Sequence, residues 1–462
     1  MFLELDNKNR ASVAVVDDSK ESVTYGDLCD FSANFSTVLS ERTLVFILAE
    51  NTIGSLLGYI AALSNRIVPL TLSRNIDVEL YERLFTLYNP KYLWAPEDMV
   101  QCLKGDVVYR SHGYALMATG LTPAPLYDEL SSLLPTSGST GSPKLVRHSY
   151  RNIEANARNV SLLFKLTENE RAMAILPMHY TMGLSVIISH LYAGATIFLS
   201  GKPLTDKAFW DIIKEEKITG FTGVPYSYEI LQKLRFFKMD LPYLRIITQG
   251  GGKLGNELFK LCAEYAEKNG KKFIATYGQT EGTARMAFLE PGMALKKIGS
   301  IGKAIPNGQL SIIDENGNET FEGEATGEMV YRGENVTLGY ALCGDDLAKG
   351  DENGGVLYTG DIVYRDAEGY HFIVGRMKRF LKIFGLRIGL DEVEHLIKTN
   401  FDTDCVCNGQ DDMLQVMITN KQIVNEVRDF IIEKIKLFHK NLEVIAVEQI
   451  ERNEVGKLIL NK

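Results

Sequence analysis

Apolar runs of strand length alternate with stretches of helical period along most of the chain. Residues 44–49 form an unbroken apolar run, 55–63 repeat with the spacing of a helix, and 67–70 are apolar again. The same rhythm returns at 171–176, 195–199, 220–224, 244–248 and 273–276, which predicts an α/β region built from strand–helix–strand crossovers. Tyr25-Gly26-Asp27-Leu28 reads as a turn opening an early helix. After Gly299 the pattern becomes short strands with Gly-rich turns, at 310–313, 328–331 and 369–374, and predicts a β-rich subdomain. The final stretch predicts an amphipathic helix over 390–398, a strand over 414–418 and a helix over 423–438. There is no internal repeat or low-complexity tract.

The chain has 462 residues, more than one hydrophobic core normally serves, and it is 45% hydrophobic and 24% charged, as ordinary globular proteins are. From Arg376 to the end, 14 basic residues balance 14 acidic ones, so the net charge of −9 arises entirely before that point. We therefore expect two domains, 1–375 and 376–462, with the break at the basic run that supplies Arg376, Lys378, Arg379, Lys382 and Arg387. An acidic chain does not favour nucleic acid or anionic lipid as partner. Six scattered cysteines make neither a disulfide framework nor a paired metal motif. No signal peptide is visible and no apolar stretch is long enough to span a membrane, so the expected compartment is the cytoplasm.

Chemistry concentrates first in residues 135–144, Pro-Thr-Ser-Gly-Ser-Thr-Gly-Ser-Pro-Lys. Glycines allow a tight turn, the hydroxyls of Ser137, Ser139 and Thr140 can meet phosphate oxygens, and Lys144 supplies positive charge. The usual nucleotide loop needs Gly-Lys-Ser/Thr, whereas Ser142 and Pro143 separate Gly141 from Lys144. Such clusters are also ordinary surface loops, and the segment alone leaves both readings open. Gly250, Gly252 and Gly255 satisfy a dinucleotide fingerprint, but no acidic residue ends a second strand where ribose binding would need one. Tyr277-Gly278-Gln279-Thr280-Glu281 follows an apolar strand and presents a carboxylate where open α/β sheets bind ligands; beside a phosphate it suits Mg2+. Tyr358-Thr359-Gly360-Asp361, one strand before Gly375-Arg376, suits ribose hydroxyls or simply caps a turn.

Together these segments, with a Gly456-Lys457 pair near the end, occur in an order that closely resembles the adenylate-forming superfamily of acyl-CoA synthetases, peptide-synthetase adenylation domains and luciferases. The similarity runs from Tyr25 to Lys457. It implies an α/β fold: a large multi-sheet N-terminal domain with a β-rich subdomain, plus a small mobile α+β C-terminal domain. It also implies that Thr136, Ser137, Gly138, Ser139, Thr140, Gly141 and Lys144 hold the β- and γ-phosphates of ATP. Gly250, Gly251, Gly252 and Tyr277 would flank adenine, Thr280 touch the α-phosphate, Glu281 bind Mg2+, and Asp361 take the ribose with Arg376 nearby. Lys457 matches the lysine that bridges substrate carboxylate and α-phosphate, in a loop lacking its usual upstream proline.

The resemblance further implies rotation of the C-terminal domain about Lys378, with Gly385 lining the path of a pantetheine arm. The basic run there would favour the phosphates of CoA or an acidic carrier protein, or is simply a solvated face. Amino-acid-activating members show Phe-Asp, where Thr181 stands here when aligned on Gly183. Acyl-CoA synthetases show Phe-His, whereas here His179 falls one position early and Tyr180 fills its place. His179, Tyr180, Gly183 and Val224 are the expected acyl pocket. The implied activity is conversion of a carboxylic acid to an acyl adenylate with release of pyrophosphate, then transfer to a thiol of CoA or of carrier-protein phosphopantetheine. The alternatives are aminoacyl adenylation for carrier loading, and a nucleotide-binding regulator without catalysis.

Overall fold

The computed structural model describes residues 1–135, 144–377, 379–383, 386–410, 412–435 and 437–452. Contacts divide the chain into two compact units, Met1–Gln309 with Tyr331–Leu357, and Leu310–Val330 with Tyr358–Lys462. The expected boundary at Arg376 falls inside the second.

The first unit is organised on two large sheets. One has eight strands, in the order Gly339–Ala341, Leu145–Ser149, Leu130–Pro135, Val68–Ser73, Leu44–Ala49, Tyr92–Pro96, Tyr114–Ala118 and Asp106–Ser111. The run 44–49 is apolar at every position because both faces of its strand are covered. Val45, Ile47 and Ala49 join the principal core, while Leu44, Phe46 and Leu48 pack on the other side with Leu84, Phe85 and Tyr88 of the helix Val78–Tyr88.

The other sheet has nine strands, and its central parallel part runs Lys272–Tyr277, Ile246–Gln249, Gly220–Gly223, Arg171–Ala174, Thr196–Leu199, Val13–Asp17. Helices Tyr25–Val38, Ile53–Ser64, Tyr150–Phe164 and Thr181–Tyr192 contribute to the core shared with strands of both sheets. Ile53–Ser64 is buried at every residue from Ile53 to Leu63, so it is apolar nearly all round and extends two residues before the expected 55–63. Tyr25–Val38 starts where the turn was expected: Thr24 Oγ1 accepts from the backbone N–H of Asp27, and Asp27 Oδ2 accepts from that of Thr24.

The second unit holds most of a five-stranded sheet ordered Glu319–Thr320, Gln309–Ile313, Ala325–Arg332, Val356–Arg365, His371–Arg376. It continues with the hairpin Phe380–Ile383/Leu386–Gly389 and a three-stranded sheet, Cys405–Gln410, Met413–Ile418 and Leu442–Ala446. Helices Leu390–Asn400 and Val424–Ile435 contribute to the same core as this sheet. The last helix, Val424–Ile435, starts one residue later than expected, after a 3-10 turn over Lys421–Ile423 that Asn420 caps, and residues 437–438 are not helical. All six cysteines are free, and among the described residues no helix is long and apolar enough to cross a membrane.

Candidate functional site

Four neighbouring parallel strands of the nine-stranded sheet end in expected site residues. Lys272–Tyr277 leads into Thr280 and Glu281, Ile246–Gln249 into Gly250, Gly251 and Gly252, Gly220–Gly223 into Val224, and Arg171–Ala174 into His179, Tyr180 and Gly183. Segments distant in sequence thus share one carboxyl edge, the place where such sheets bind ligands.

The residues touch as well as align. Gly251 has φ +78°, and a Cβ there would lie 2.5 Å from the Tyr180 hydroxyl and 3.2 Å from Val224 Cγ1. A side chain at 251 would therefore be strained in backbone and would collide with Tyr180 and Val224. Val224 is buried with Leu176 and Met182, and Tyr180 packs against them. Gly183 is closely packed: a Cβ there would stand 2.2 Å from the Pro177 carbonyl oxygen. His179 is half-buried. Tyr277 is buried, and its hydroxyl accepts from Gln279 Nε2 at 3.1 Å.

Residues 136–143, which include Thr136 through Gly141, lie outside the described residues. The strands on either side pair antiparallel, Pro135 opposite Leu145 and Leu134 opposite Val146. The usual nucleotide loop, by contrast, is flanked by a strand and a helix. Lys144, immediately after it, holds its ammonium over the Tyr340 ring, 3.1 Å from the centroid. The Tyr340 hydroxyl donates to Glu281 Oε1 at 2.6 Å. Burial and then the Glu281 charge push the Tyr340 phenol well up, so it remains a donor at neutral pH. One tyrosine thereby links the lysine of the Ser/Thr/Gly segment to the acid of the Tyr-Gly-x-Thr-Glu segment.

Tyr340 was not among the expected residues. It lies on the three-residue edge strand Gly339–Ala341, too short for periodicity to register, which pairs with Leu145–Ser149. A second residue missed was Asn335. Fully buried, it accepts from the Tyr331 hydroxyl at 2.7 Å, and its amide donates to the carbonyls of Gly282 at 2.7 Å and Arg285 at 3.1 Å. The segment after Glu281 is thus tied to a distant turn. Asn335→Ala would leave all three partners buried and unpaired, and is expected to destabilise by about 2–4 kcal/mol. A thermal melt should show it as a fall of several degrees, and an unchanged midpoint would contradict the tie.

In the second unit, Asp361 is buried to 1% exposure and accepts from Arg376 Nε at 2.7 Å, the two residues facing each other across adjacent strands. The basic run is partly neutralised. Arg379 pairs with Asp391 and, at 2.7 Å, with Glu394, and also donates to the Cys407 carbonyl at 3.0 Å. The helix Leu390–Asn400 returns two downstream acids to a stretch that reads as purely basic in sequence. Lys378, Gly385 and Lys457 lie outside the described residues. Among the described residues no cluster of three or more His, Cys, Asp or Glu forms a metal cage. Mg2+ held largely by phosphate oxygens requires only one or two carboxylates, and Glu281 fits that need.

A family model for "AMP-binding enzyme" matches residues 4–341. The chain belongs to the AMP-binding enzyme family. Two similar members are the indoleacetate–CoA ligase of Aromatoleum aromaticum, 34% identical over 57% of this chain and 50% of that protein, and the oxalate–CoA ligase of Arabidopsis thaliana, 32% identical over 62% and 55%. The chain therefore spans about half the length of these AMP-binding relatives. The fold matches O-succinylbenzoate CoA synthetase (MenE) of Bacillus subtilis in complex with AMP, with TM-score 0.78, 21% identity and coverage of 98% of this chain and 96% of that one. ATP-bound MatB of Rhodopseudomonas palustris matches with TM-score 0.76, 19% identity and coverage of 99% and 96%. These two establish an α/β architecture with a large sheet-rich N-terminal part and a smaller C-terminal part, as the motifs implied.

Proposed function

We propose that the chain activates a carboxylic acid with ATP and Mg2+, forming an acyl adenylate and pyrophosphate, and then transfers the acyl group to a thiol. The observation that carries this reading is the meeting of Lys144 and Glu281 on Tyr340, which brings a phosphate-neutralising cation and a Mg2+-ligating carboxylate to one place. A carboxylate attacks the α-phosphorus of ATP and pyrophosphate departs. Both reactants are anions, so positioning and charge neutralisation supply most of the rate.

In this reading Thr136, Ser137, Gly138, Ser139, Thr140, Gly141 and Lys144 hold the β- and γ-phosphates. Gly250, Gly251, Gly252 and Tyr277 flank adenine, Thr280 contacts the α-phosphate, and Asp361 with Arg376 takes the ribose. His179, Tyr180 and Val224 border the acyl group, and the structural demand on Gly183 supports a role in shaping that border. Glu281 would hold Mg2+, which when bound withdraws charge from the phosphate oxygens. Lys457 serves adenylation. The region from Arg376 then turns about Lys378, and Gly385 lines the thiol's approach.

The indoleacetate and oxalate relatives are CoA ligases by name, which favours CoA over a carrier protein as acceptor. Six free cysteines suit a reducing compartment such as the cytoplasm. The test is ATP–pyrophosphate exchange across a panel of acids, followed by a thioester assay with CoA and with a phosphopantetheinylated carrier protein. Acid-dependent exchange and a CoA thioester are expected. ATP binding without exchange for any acid would favour a non-catalytic nucleotide-binding protein instead.

A further inference from the structure

Asn51 lies between the strand Leu44–Ala49 of the eight-stranded sheet and the helix Ile53–Ser64, yet its side chain reaches the nine-stranded sheet. Its amide nitrogen donates to the carbonyls of Ala174 and Leu176, each at 3.2 Å, and of Ser200 at 3.1 Å. Its Oδ1 accepts from the backbone N–H of Met178 at 3.1 Å. Ala174 ends the strand Arg171–Ala174 and Ser200 follows its parallel neighbour Thr196–Leu199, so one side chain holds two strand ends at the carboxyl edge. These partners fix the orientation of the amide. Turned over, its oxygen would face three carbonyl oxygens and its nitrogen an N–H.

The segment that Asn51 grips leads directly into the expected acyl pocket. Residues 175–180 join the strand Arg171–Ala174 to the helix Thr181–Tyr192 and belong to neither, so no ladder pairs their backbone. Leu176 and Met178 are buried, and buried backbone groups need partners from elsewhere. Asn51 supplies them on both sides of Pro177, taking the carbonyl of 176 and the N–H of 178. The Pro177 carbonyl in turn accepts from the N–H of Tyr180 at 3.0 Å. Gly183 closes over the same turn, since a Cβ there would stand 2.2 Å from the Pro177 oxygen and 2.8 Å from that of Leu176. At the end of the turn, the Tyr180 hydroxyl stands against Gly251. Contacts therefore run without a break from Asn51 through the turn to Tyr180 and Gly251.

We propose that Asn51 is a positioning residue for the acyl pocket: by fixing the turn 174–178 from the neighbouring sheet, it sets where Tyr180 stands and so how well the acid is held. This rests on the adenylation reading and adds to it a residue that acts through Tyr180 rather than on the substrate. Residues 175–180 carry two of the expected acyl-pocket residues, His179 and Tyr180, and none of those assigned to ATP. The effect of losing Asn51 accordingly falls on the acid. A displacement of about 1 Å in such a wall is enough to weaken a productive fit by a large factor.

The experiment measures pyrophosphate exchange with whichever of acetate, hexanoate, benzoate, indole-3-acetate and oxalate the wild type uses best. Wild type, Asn51→Ala, Tyr180→Ala and the double variant are compared, each first checked for a cooperative thermal melt. Asn51→Ala should raise the KM for the acid by about tenfold and that for ATP by less than about twofold. Because Asn51 acts through Tyr180, the double variant should match Tyr180→Ala within about twofold, whereas a residue serving only folding would multiply the two effects. Asn51→Asp keeps the shape but sets an acceptor against three carbonyl oxygens, and should exceed Asn51→Ala. Hydrogen exchange over residues 175–184 reads the tie without any acid, and faster exchange is expected in Asn51→Ala. Unchanged protection there, equal rises in the two KM values, or multiplying effects would each overturn the proposal while leaving adenylation standing. If Asn51→Ala fails to fold, Asn51→Gln, which keeps both groups but displaces them by one methylene, carries the same comparison. Exchange with no acid would overturn the adenylation reading, and this inference with it.

Discussion

Glu281→Gln is expected to lower acid-dependent pyrophosphate exchange by on the order of 10^2-fold or more and to raise the Mg2+ concentration needed for half-maximal rate. Glutamine retains an oxygen that can accept from the Tyr340 hydroxyl, so the 2.6 Å bond and the local fold should survive. What disappears is the negative charge that would hold the metal against the phosphates. Titrating Mg2+ at saturating ATP reads the effect directly, with a thermal melt confirming that the variant is folded. Tyr340→Phe provides the comparison: the carboxylate stays charged but loses its donor, and the loss should be smaller, about tenfold. An unchanged Mg2+ dependence in Glu281→Gln would remove Glu281 from the metal site.

Lys457→Ala should reduce adenylation by about 10^3-fold, the scale for loss of one group aimed at developing charge, while sparing the second half-reaction. The two steps can be separated by supplying synthetic acyl adenylate with CoA and measuring thioester. A lysine that only bridges the substrate carboxylate and the α-phosphate has no part once the adenylate exists, so this rate should stay near that of the wild type. Lys144→Ala provides the contrast, because a residue bound to the departing phosphates should mainly weaken ATP binding. Equal loss of both half-reactions in Lys457→Ala would refute the assignment to adenylation alone.

Much of the architecture was legible in the chain because the relevant strands are covered on both faces. Short apolar runs such as 44–49 and 273–275 fit strands covered on both faces, and both lie within strands. Between them, the helix Ile53–Ser64 showed itself as a long apolar stretch, which fits its burial from Ile53 to Leu63. The motif residues Glu281, Asp361 and Lys144 were legible for another reason: their chemistry is carried by short contiguous segments whose order survives in the sequence.

What stayed hidden are residues whose role depends on a partner brought in by the fold. Tyr340, on its three-residue strand, carries no local signal and becomes meaningful only because Lys144 and Glu281 converge on it. Asn335 looks like any turn asparagine until its amide is found between two carbonyls. The basic run after Gly375 read as one positive face, yet Arg376 and Arg379 are each committed to carboxylates.

The sequence by itself determined the strand–helix alternation and the family's ordered motifs, since these follow from local hydrophobic period and from residue types at fixed spacing. Only the tertiary structure decided which charges meet. Side-chain reach is a few ångströms, so pairing depends on how sheets and helices bring distant segments together.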